Sequence, residues 1–174
     1  MFQPVSIVLV NVLLAYVVGT AGAAATEDSY LPNRTFTTLA GGNWRPGSGG
    51  SQVTVLHFWS LSCRPCIEVL PRLRRLHGAW AGRTEVALVG LPVEGDLVRV
   101  RRHVRRHHMA WPQLTHAEGS AVRVVAGPLA VKVIPTPSFW IIDEAGKIVG
   151  VCRDPEAAFR LAEGVAVKLG ATVA

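Results

Sequence analysis

Charged side chains are missing from the first 26 residues of this 174-residue chain, and Glu27 is the first of them. Residues 5–25 form an almost unbroken apolar run, and a helix of that composition needs protein or lipid on every side. The run has the roughly 20 residues that span a bilayer, and Gly22–Ala25 ends it with small residues of the kind that a signal peptidase cleaves. We expect residues 1–25 to be a signal peptide or a membrane anchor, although the usual basic n-region is absent. The remaining interpretation, a buried helix of the soluble domain, requires the fold to cover it completely.

Cysteine is scarce, with three residues in the chain, and only Cys63 and Cys66 lie close in sequence. This small, odd number argues against a disulfide framework, which a domain of this length does not need to bury a core. A structural zinc site needs two more ligands, and the chain has no second C-x-x-C. His103 with His107 or His108 has ligand spacing, but these histidines lie among arginines on another predicted helix. The pair is therefore interpreted as a redox dithiol rather than a metal half-site or two inert core thiols.

Acidic residues are outnumbered, 12 against 18 lysines and arginines, which gives a net charge of +6. Aromatic residues are not interleaved with the basic ones as in proteins that stack bases, so no nucleic-acid partner is predicted. Arg99 to His108 form a basic run, and the apolar residues Leu97, Val100 and Val104, just before and within it, fit one helix face. We interpret the run as the solvated side of a helix, with attraction to an anionic membrane surface as the second interpretation.

Strand and helix patterns alternate along the rest of the chain, and no internal repeat interrupts them. Strands are predicted over 53–59, 85–93, 138–143 and 148–152, and helices over 63–78, 96–108, 120–126 and from 154 to just before Gly170. Residues 26–50 are predicted to be a lead-in or tether with a hairpin, and Pro71 is predicted to bend the first helix. The order implies an α/β layered sheet.

Cys63 and Cys66 follow a predicted buried strand and open a predicted helix. Unpaired N–H groups and the helix dipole favour a thiolate at such a position, and Arg64 adds a cation. Cys63 is therefore the predicted nucleophile. Cys66, one turn further along, is the predicted resolving thiol that attacks the mixed disulfide. Pro65 removes a donor and stiffens the turn between them.

The segment Phe58–Cys66 (FWSLSCRPC), followed by Pro71, resembles the active-site segment of the thioredoxin superfamily. Residues 133–146 (VIPTPSFWIIDEAG) resemble the cis-proline strand and hairpin of TlpA-like proteins, exported thioredoxins that include cytochrome c maturation factors. The resemblance covers residues 34–170, with 96–114 matching the inserted helix and strand of that group. It implies a thioredoxin-like fold for residues 26–174, with a central mixed sheet flanked by helices.

The resemblance also implies roles for residues outside the dithiol. Pro137 is implied to be the cis-proline that faces the dithiol and docks substrate backbone, with Thr136 before it; Pro135 is the competing assignment, and either proline can be a strand-edge residue. Trp59 belongs to the matched motif. His57 stands where thioredoxins often place a buried acid that relays protons to the resolving cysteine. A histidine can exchange protons near neutral pH, but a structural histidine with its hydrogen bonds satisfied is favoured.

Besides His57, two residues depart from the family pattern and limit what the resemblance implies. Ser62 replaces a tryptophan that many relatives carry before the first cysteine. Arg64 is not the usual residue between the cysteines, and it leaves the direction of electron flow open. Cys152 has no obvious partner and is predicted to be a buried, inert thiol.

The combined prediction is an extracytoplasmic thiol-disulfide oxidoreductase on the periplasmic side, membrane-anchored or secreted. Its expected substrates are disulfides or dithiols of exported proteins, in cytochrome c maturation or reductive disulfide repair. It is expected to exchange electrons with an upstream membrane donor or acceptor, and to need neither an organic cofactor nor a metal. One alternative is a thiol peroxidase, whose P-x₃-T/S-x₂-C setting is absent before Cys63. The other is a non-catalytic binding or chaperone module, against which the intact Cys63 and Cys66 argue.

Overall fold

The computed structural model describes residues 29–115, 121–126, 129 and 133–170, which form a mixture of strands and helices. In chain order the elements are β1 Phe36–Thr38, β2 Asn43–Trp44, β3 Val53–Trp59, α1 Arg64–Ala79, β4 Val86–Pro92, α2 Leu97–Arg106, β5 Leu114–Thr115, α3 Ala121–Ala126, β6 Ser138–Asp143, β7 Ile148–Cys152 and α4 Pro155–Lys168.

The main sheet has four strands in the order β4-β3-β6-β7. β3 pairs in parallel with β4 and antiparallel with β6, and β6 forms an antiparallel hairpin with β7. All seven residues of β3 are buried, as expected for a strand covered on both faces. The predicted α/β fold with a central mixed sheet flanked by helices is confirmed.

A smaller sheet in the order β2-β1-β5 lies beside the main one. Its antiparallel β1–β2 pair is the hairpin predicted in the lead-in segment. The two sheets meet where Gly90 of β4 forms a bridge with Gln113, just before β5, and the Gly90 N–H donates to the Pro112 carbonyl at 2.8 Å. This joint connects the lead-in and the insertion to the central sheet.

Helix α1 places the cysteine pair at the end of the sheet. Cys63 is its N-cap, and the buried face carries Cys66, Leu70 and Leu73. The helix runs unbroken through Pro71. The sulfur atoms are thereby held between the end of β3 and the first turn of α1.

Hydrophobic side chains fill both faces of the main sheet. One cluster packs β3 and β6 against α1 and α4, and includes Val55, Trp59, Cys66, Phe139 and Phe159. The other cluster lies on the opposite face and includes Leu56, Phe58, Val89, Trp140 and Ile142. The alternation of side chains along a strand assigns successive β3 residues to opposite clusters.

The predicted signal peptide or anchor at residues 1–25 lies outside the described residues, and the boundary at residue 26 stays a prediction. Within the described part of the chain, no helix is long and apolar enough to cross a membrane.

Candidate active site

The two paired cysteines form a disulfide at the start of α1. The Cys63–Cys66 S–S distance is 2.05 Å, and the Cα atoms are 5.2 Å apart. The Cys66 N–H donates to the Cys63 sulfur at 3.1 Å. In the reduced protein this donor and the helix N-terminus favour negative charge on the Cys63 sulfur.

The two sulfur-bearing residues differ in exposure. Cys63 is 8% exposed and Cys66 is 3% exposed, while Arg64 and Pro65 between them lie in solvent. Cys63 is therefore the more accessible of the two, although both are largely enclosed. The exposed turn is the side on which the pair borders solvent.

The loop before Cys63 is held in place by hydrogen bonds. The Leu61 N–H donates to Oε1 of Glu94 at 2.7 Å, and the hydroxyls of Ser60 and Ser62 are 3.1 Å apart. Glu94 is a site residue that the sequence analysis missed. The position of Glu94 just after β4 could have indicated that it lies at the site, because the carboxyl ends of parallel neighbours such as β3 and β4 lie at the same edge of a sheet.

Trp59 supports this loop from within the core. Its indole N–H donates to Oε1 of Gln113 at 2.9 Å, and its ring stacks on His103 with 5.0 Å between centroids. The Gln113 amide in turn donates to the Trp111 carbonyl. Burial lowers the pKa of His103, and the neighbouring His107 lowers it further. Gln113 and His103 were not among the predicted site residues, since both contacts are long-range.

His57 differs from the favoured prediction. Its ring is fully buried, and neither nitrogen has a hydrogen-bond partner among the described residues. The ring stacks on Phe139 with 5.0 Å between centroids. Burial lowers the pKa of His57 to about 3, so the ring does not take up a proton near neutral pH. The prediction that His57 has its hydrogen bonds satisfied was wrong, because aromatic neighbours rather than polar ones surround the ring.

The Thr136–Pro137 peptide bond is cis, as the resemblance implied. Pro137 is buried and Thr136 is half-buried. Because Ser138 pairs with Phe58 in the antiparallel register, Pro137 lies at the end of the sheet where β3 leads into the cysteine loop. Substrate docking by Thr136 and Pro137 stays a prediction.

Arg64 is turned along the helix surface. Its guanidinium Nε donates to Oε1 of Glu68 at 3.0 Å, and both side chains are largely exposed. Such a pair is weak in water. Part of the positive charge that was expected to support the Cys63 thiolate is thus shared with Glu68.

Cys152 at the end of β7 is a free thiol that is half-buried, so the prediction of a buried thiol was wrong. Partial burial and, to a lesser degree, the Asp154 carboxylate raise the pKa of this thiol. The thiol therefore resists ionisation and is a poor nucleophile.

The fold and the site together define a thioredoxin-like domain with a C-x-x-C disulfide at a helix N-terminus. The AhpC/TSA family model matches residues 30–151. The chain belongs to this family, and the predicted membership of the thioredoxin superfamily is confirmed.

Curated relatives carry names of the same kind. The thiol-disulfide oxidoreductase ResA of Bacillus thuringiensis subsp. konkukian is 23% identical over 118 residues, which are 68% of this chain and 64% of the relative. The thiol-disulfide oxidoreductase YkuV of Bacillus subtilis is 22% identical over 102 residues, which are 57% of this chain and 65% of the relative. The chain thus spans just under two thirds of the length of these relatives.

Solved structures share the fold. The thioredoxin domain of a thiol-disulfide oxidoreductase from Bacteroides vulgatus has a TM-score of 0.68 at 17% identity, covering 82% of this chain and 99% of that one. StoA from Bacillus subtilis has a TM-score of 0.58 at 23% identity, covering 82% and 99%. A secreted Mycobacterium tuberculosis disulfide oxidoreductase has a TM-score of 0.56 at 23% identity, covering 78% and 95%. At these identities the likeness establishes the thioredoxin-like fold alone.

Proposed function

We propose that this protein is a thiol-disulfide oxidoreductase in which Cys63 is the nucleophile and Cys66 the resolving thiol. The observation that carries the proposal is the Cys66 N–H aimed at the Cys63 sulfur, at 3.1 Å, where α1 begins. This donor stabilises a thiolate on the more exposed of the two cysteines. The names of the curated relatives support the same activity.

The exchange takes two steps. The reduced Cys63 thiolate attacks a sulfur of the substrate disulfide, breaks that S–S bond and releases one substrate thiolate. The Cys66 thiolate then attacks the Cys63 sulfur, which closes the Cys63–Cys66 disulfide and releases the second substrate thiolate. Two electrons pass from the protein dithiol to the substrate, and the released thiolates take up protons from water. In the opposite direction, the oxidised pair accepts two electrons from a substrate dithiol.

Thr136 and Pro137 are the proposed docking residues for an extended substrate segment. Their support is the β3–β6 register, which brings the loop before β6 to the same end of the sheet as the cysteine loop. Trp59 and Pro65 are proposed to shape the site, since Trp59 anchors the loop through Gln113 and Pro65 lies in the first turn of α1. Arg64 is exposed at the rim, where an approaching substrate meets it.

The proposed location is extracytoplasmic, on the periplasmic side, with residues 1–25 as signal peptide or anchor and 26–174 as the domain. The apolar run supports it, and so does the likeness to a secreted disulfide oxidoreductase. Exported proteins are the proposed substrates, in cytochrome c maturation or reductive repair, with electrons exchanged through a membrane donor or acceptor. Mass analysis of the mature N-terminus, combined with cell fractionation, tests the location. A start near residue 26 indicates a cleaved signal, an intact terminus in the membrane fraction indicates an anchor, and an intact terminus in the cytoplasmic fraction would overturn the proposal.

Cysteine variants test the activity. In an insulin reduction assay, we expect Cys63→Ser to lose turnover and Cys66→Ser to accumulate a mixed disulfide at Cys63, detected by mass spectrometry. Cys152→Ser is the matched control, since its half-buried thiol takes no part in the exchange, and it should turn over at the wild-type rate.

Full reductase activity in Cys63→Ser would overturn the assignment. Peroxide consumption by the same proteins distinguishes the proposed oxidoreductase from a thiol peroxidase. We expect no peroxide consumption above background.

A further inference from the structure

Helix α2 presents a dense row of arginines beside the active site. Its exposed arginines are Arg99, Arg101, Arg102, Arg105 and Arg106, and no acidic residue occurs between 97 and 108. Among the described residues, no ion pair joins any of these arginines to a carboxylate. Arg101 donates a hydrogen bond to the Leu39 carbonyl at 2.8 Å, whereas the charge of the other four is available to a binding partner.

Three of these arginines line a small cleft that reaches the cysteine loop. Arg99, Arg102 and Arg106, with His103 and Leu61, enclose about 180 Å³, and we call this the arginine cleft. Leu61 lies two residues before Cys63, so the cleft borders the segment that leads into the disulfide. Its volume suits a single side chain rather than a large cofactor.

Two residues influence the geometry and the charge of the arginine cleft, His103 in its lining and Glu94 near His103. His103 is held by its stack on the Trp59 ring, which fixes the middle of α2 against the core. Glu94 is the nearby acid, and its Oε1 is already engaged by the Leu61 N–H. One carboxylate against three guanidinium groups leaves the cleft positive, and guanidinium groups bind carboxylates in a planar, two-point geometry.

We propose that the arginine cleft binds an acidic side chain of the protein substrate, so that substrates with Asp or Glu beside the reactive cysteine are preferred. This inference rests on the proposed function, because it needs a substrate cysteine held at Cys63. Complementary charge accelerates encounter and selects among partners. The arginine cleft borders the loop that leads into Cys63, and its volume of about 180 Å³ suits a side chain, which favours an acidic segment of the substrate over a bilayer as the occupant.

Two disulfide-linked fluorogenic peptides test the proposal, one with glutamates flanking its cysteine and the other with glutamines. The rate constant for reduction by the reduced full-length protein is measured at low salt and at about 1 M salt, where the Debye length is about 3 Å. We expect the glutamate peptide to react roughly fivefold faster at low salt, by the strength of exposed charge pairs, and to lose this advantage at high salt.

Variants locate the effect. Arg102→Gln with Arg106→Gln should abolish the preference, so that the two peptides react at the same rate at low salt. Arg34→Gln with Arg160→Gln removes the same charge from exposed positions outside the arginine cleft, and should keep the preference.

Equal rates for the two peptides at low salt would overturn the proposal, as would a preference that survives in the Arg102 and Arg106 variant. The proposal would also be overturned if the protein bound phosphatidylglycerol vesicles through these arginines and showed no preference between the peptides. Reduction of both peptides by Cys63→Ser at the wild-type rate would instead refute the proposed function.

Discussion

At the scale of single residues, His57 is a buried polar group that the core holds at a cost in stability. Its ring is fully buried against Phe139, and neither nitrogen has a hydrogen-bond partner among the described residues. An unpaired buried polar group is destabilising, and a charged one far more so. The ring is accordingly neutral in the folded protein, with a pKa of about 3.

The low pKa of His57 predicts acid sensitivity. The pKa is about 3 in the folded state against an ordinary 6.5, so below pH 6.5 the unfolded chain binds a proton that the native state excludes. This contribution to stability is complete above pH 6.5 and declines as the pH falls toward 3. His57→Phe removes this dependence on pH. From pH 7 to pH 5, the free energy of unfolding of the wild type should fall by about 2 kcal/mol more than that of His57→Phe. Urea titrations at the two pH values measure the difference.

Phe139→Leu is the control for this prediction. It loosens the same stack without removing a titratable group, so its destabilisation should be similar at both pH values. An unchanged gap between wild type and His57→Phe would show that His57 takes up a proton in the folded protein as it does in the unfolded chain, which would contradict the lowered pKa.

At the scale of elements, side-chain caps set where the helices begin. Cys63, Asp96 and Asp154 are the N-caps of α1, α2 and α4. The Asp96 carboxylate accepts from the N–H groups of Val98 and Arg99, both at 3.1 Å. These acceptors satisfy donors that a helix leaves free in its first turn.

Removal of the Asp96 cap should weaken α2. Asp96→Ala is expected to lower the free energy of unfolding by about 1 kcal/mol, because two N–H groups lose their acceptor. Asp96→Asn keeps an acceptor oxygen and should lose clearly less. Chemical denaturation compares the two variants, and equal losses would indicate that charge rather than capping matters at this position.

At the scale of the whole molecule, the joint between the two sheets also supports the active site. A Cβ on Gly90 would lie 2.0 Å from Oε1 and 2.6 Å from Cδ of Gln113. The same amide accepts from the Trp59 indole and donates to the Trp111 carbonyl. The absence of a side chain at Gly90 therefore makes room for the group that anchors Trp59.

Gly90→Ala should accordingly destabilise the protein by about 3 kcal/mol, through overpacking and the displacement of two buried hydrogen bonds. Gly164→Ala in α4 is the matched control, since nothing lies within 4 Å of its added Cβ. That variant should be neutral or up to about 1 kcal/mol more stable, because alanine favours the helix. Thermal and urea unfolding of both variants measure the contrast, and similar losses would argue against the Gln113 clash.

Local patterns in the sequence determined most of the secondary structure. The strand bounds of β3, β6 and β7 coincide with the predicted ones, because dense apolar and β-branched runs bounded by turn residues are local signals. Asp96 and Asp154 likewise marked helix starts through their own neighbours. The end of α2 was predicted two residues too late, since His108 adopts a left-handed conformation with φ of 50° after the last turn.

The sequence by itself also determined the cysteine pair and its place at a helix start, because the two thiols and the apolar run before them lie close together in the sequence. Only the tertiary structure decided what surrounds that pair. Leu61 and Glu94 are 33 residues apart, and Trp59 and Gln113 are 54 apart. The aromatic surroundings of His57 likewise come from another strand. Such contacts follow from strand order and register, which bring distant residues together and which no local pattern specifies.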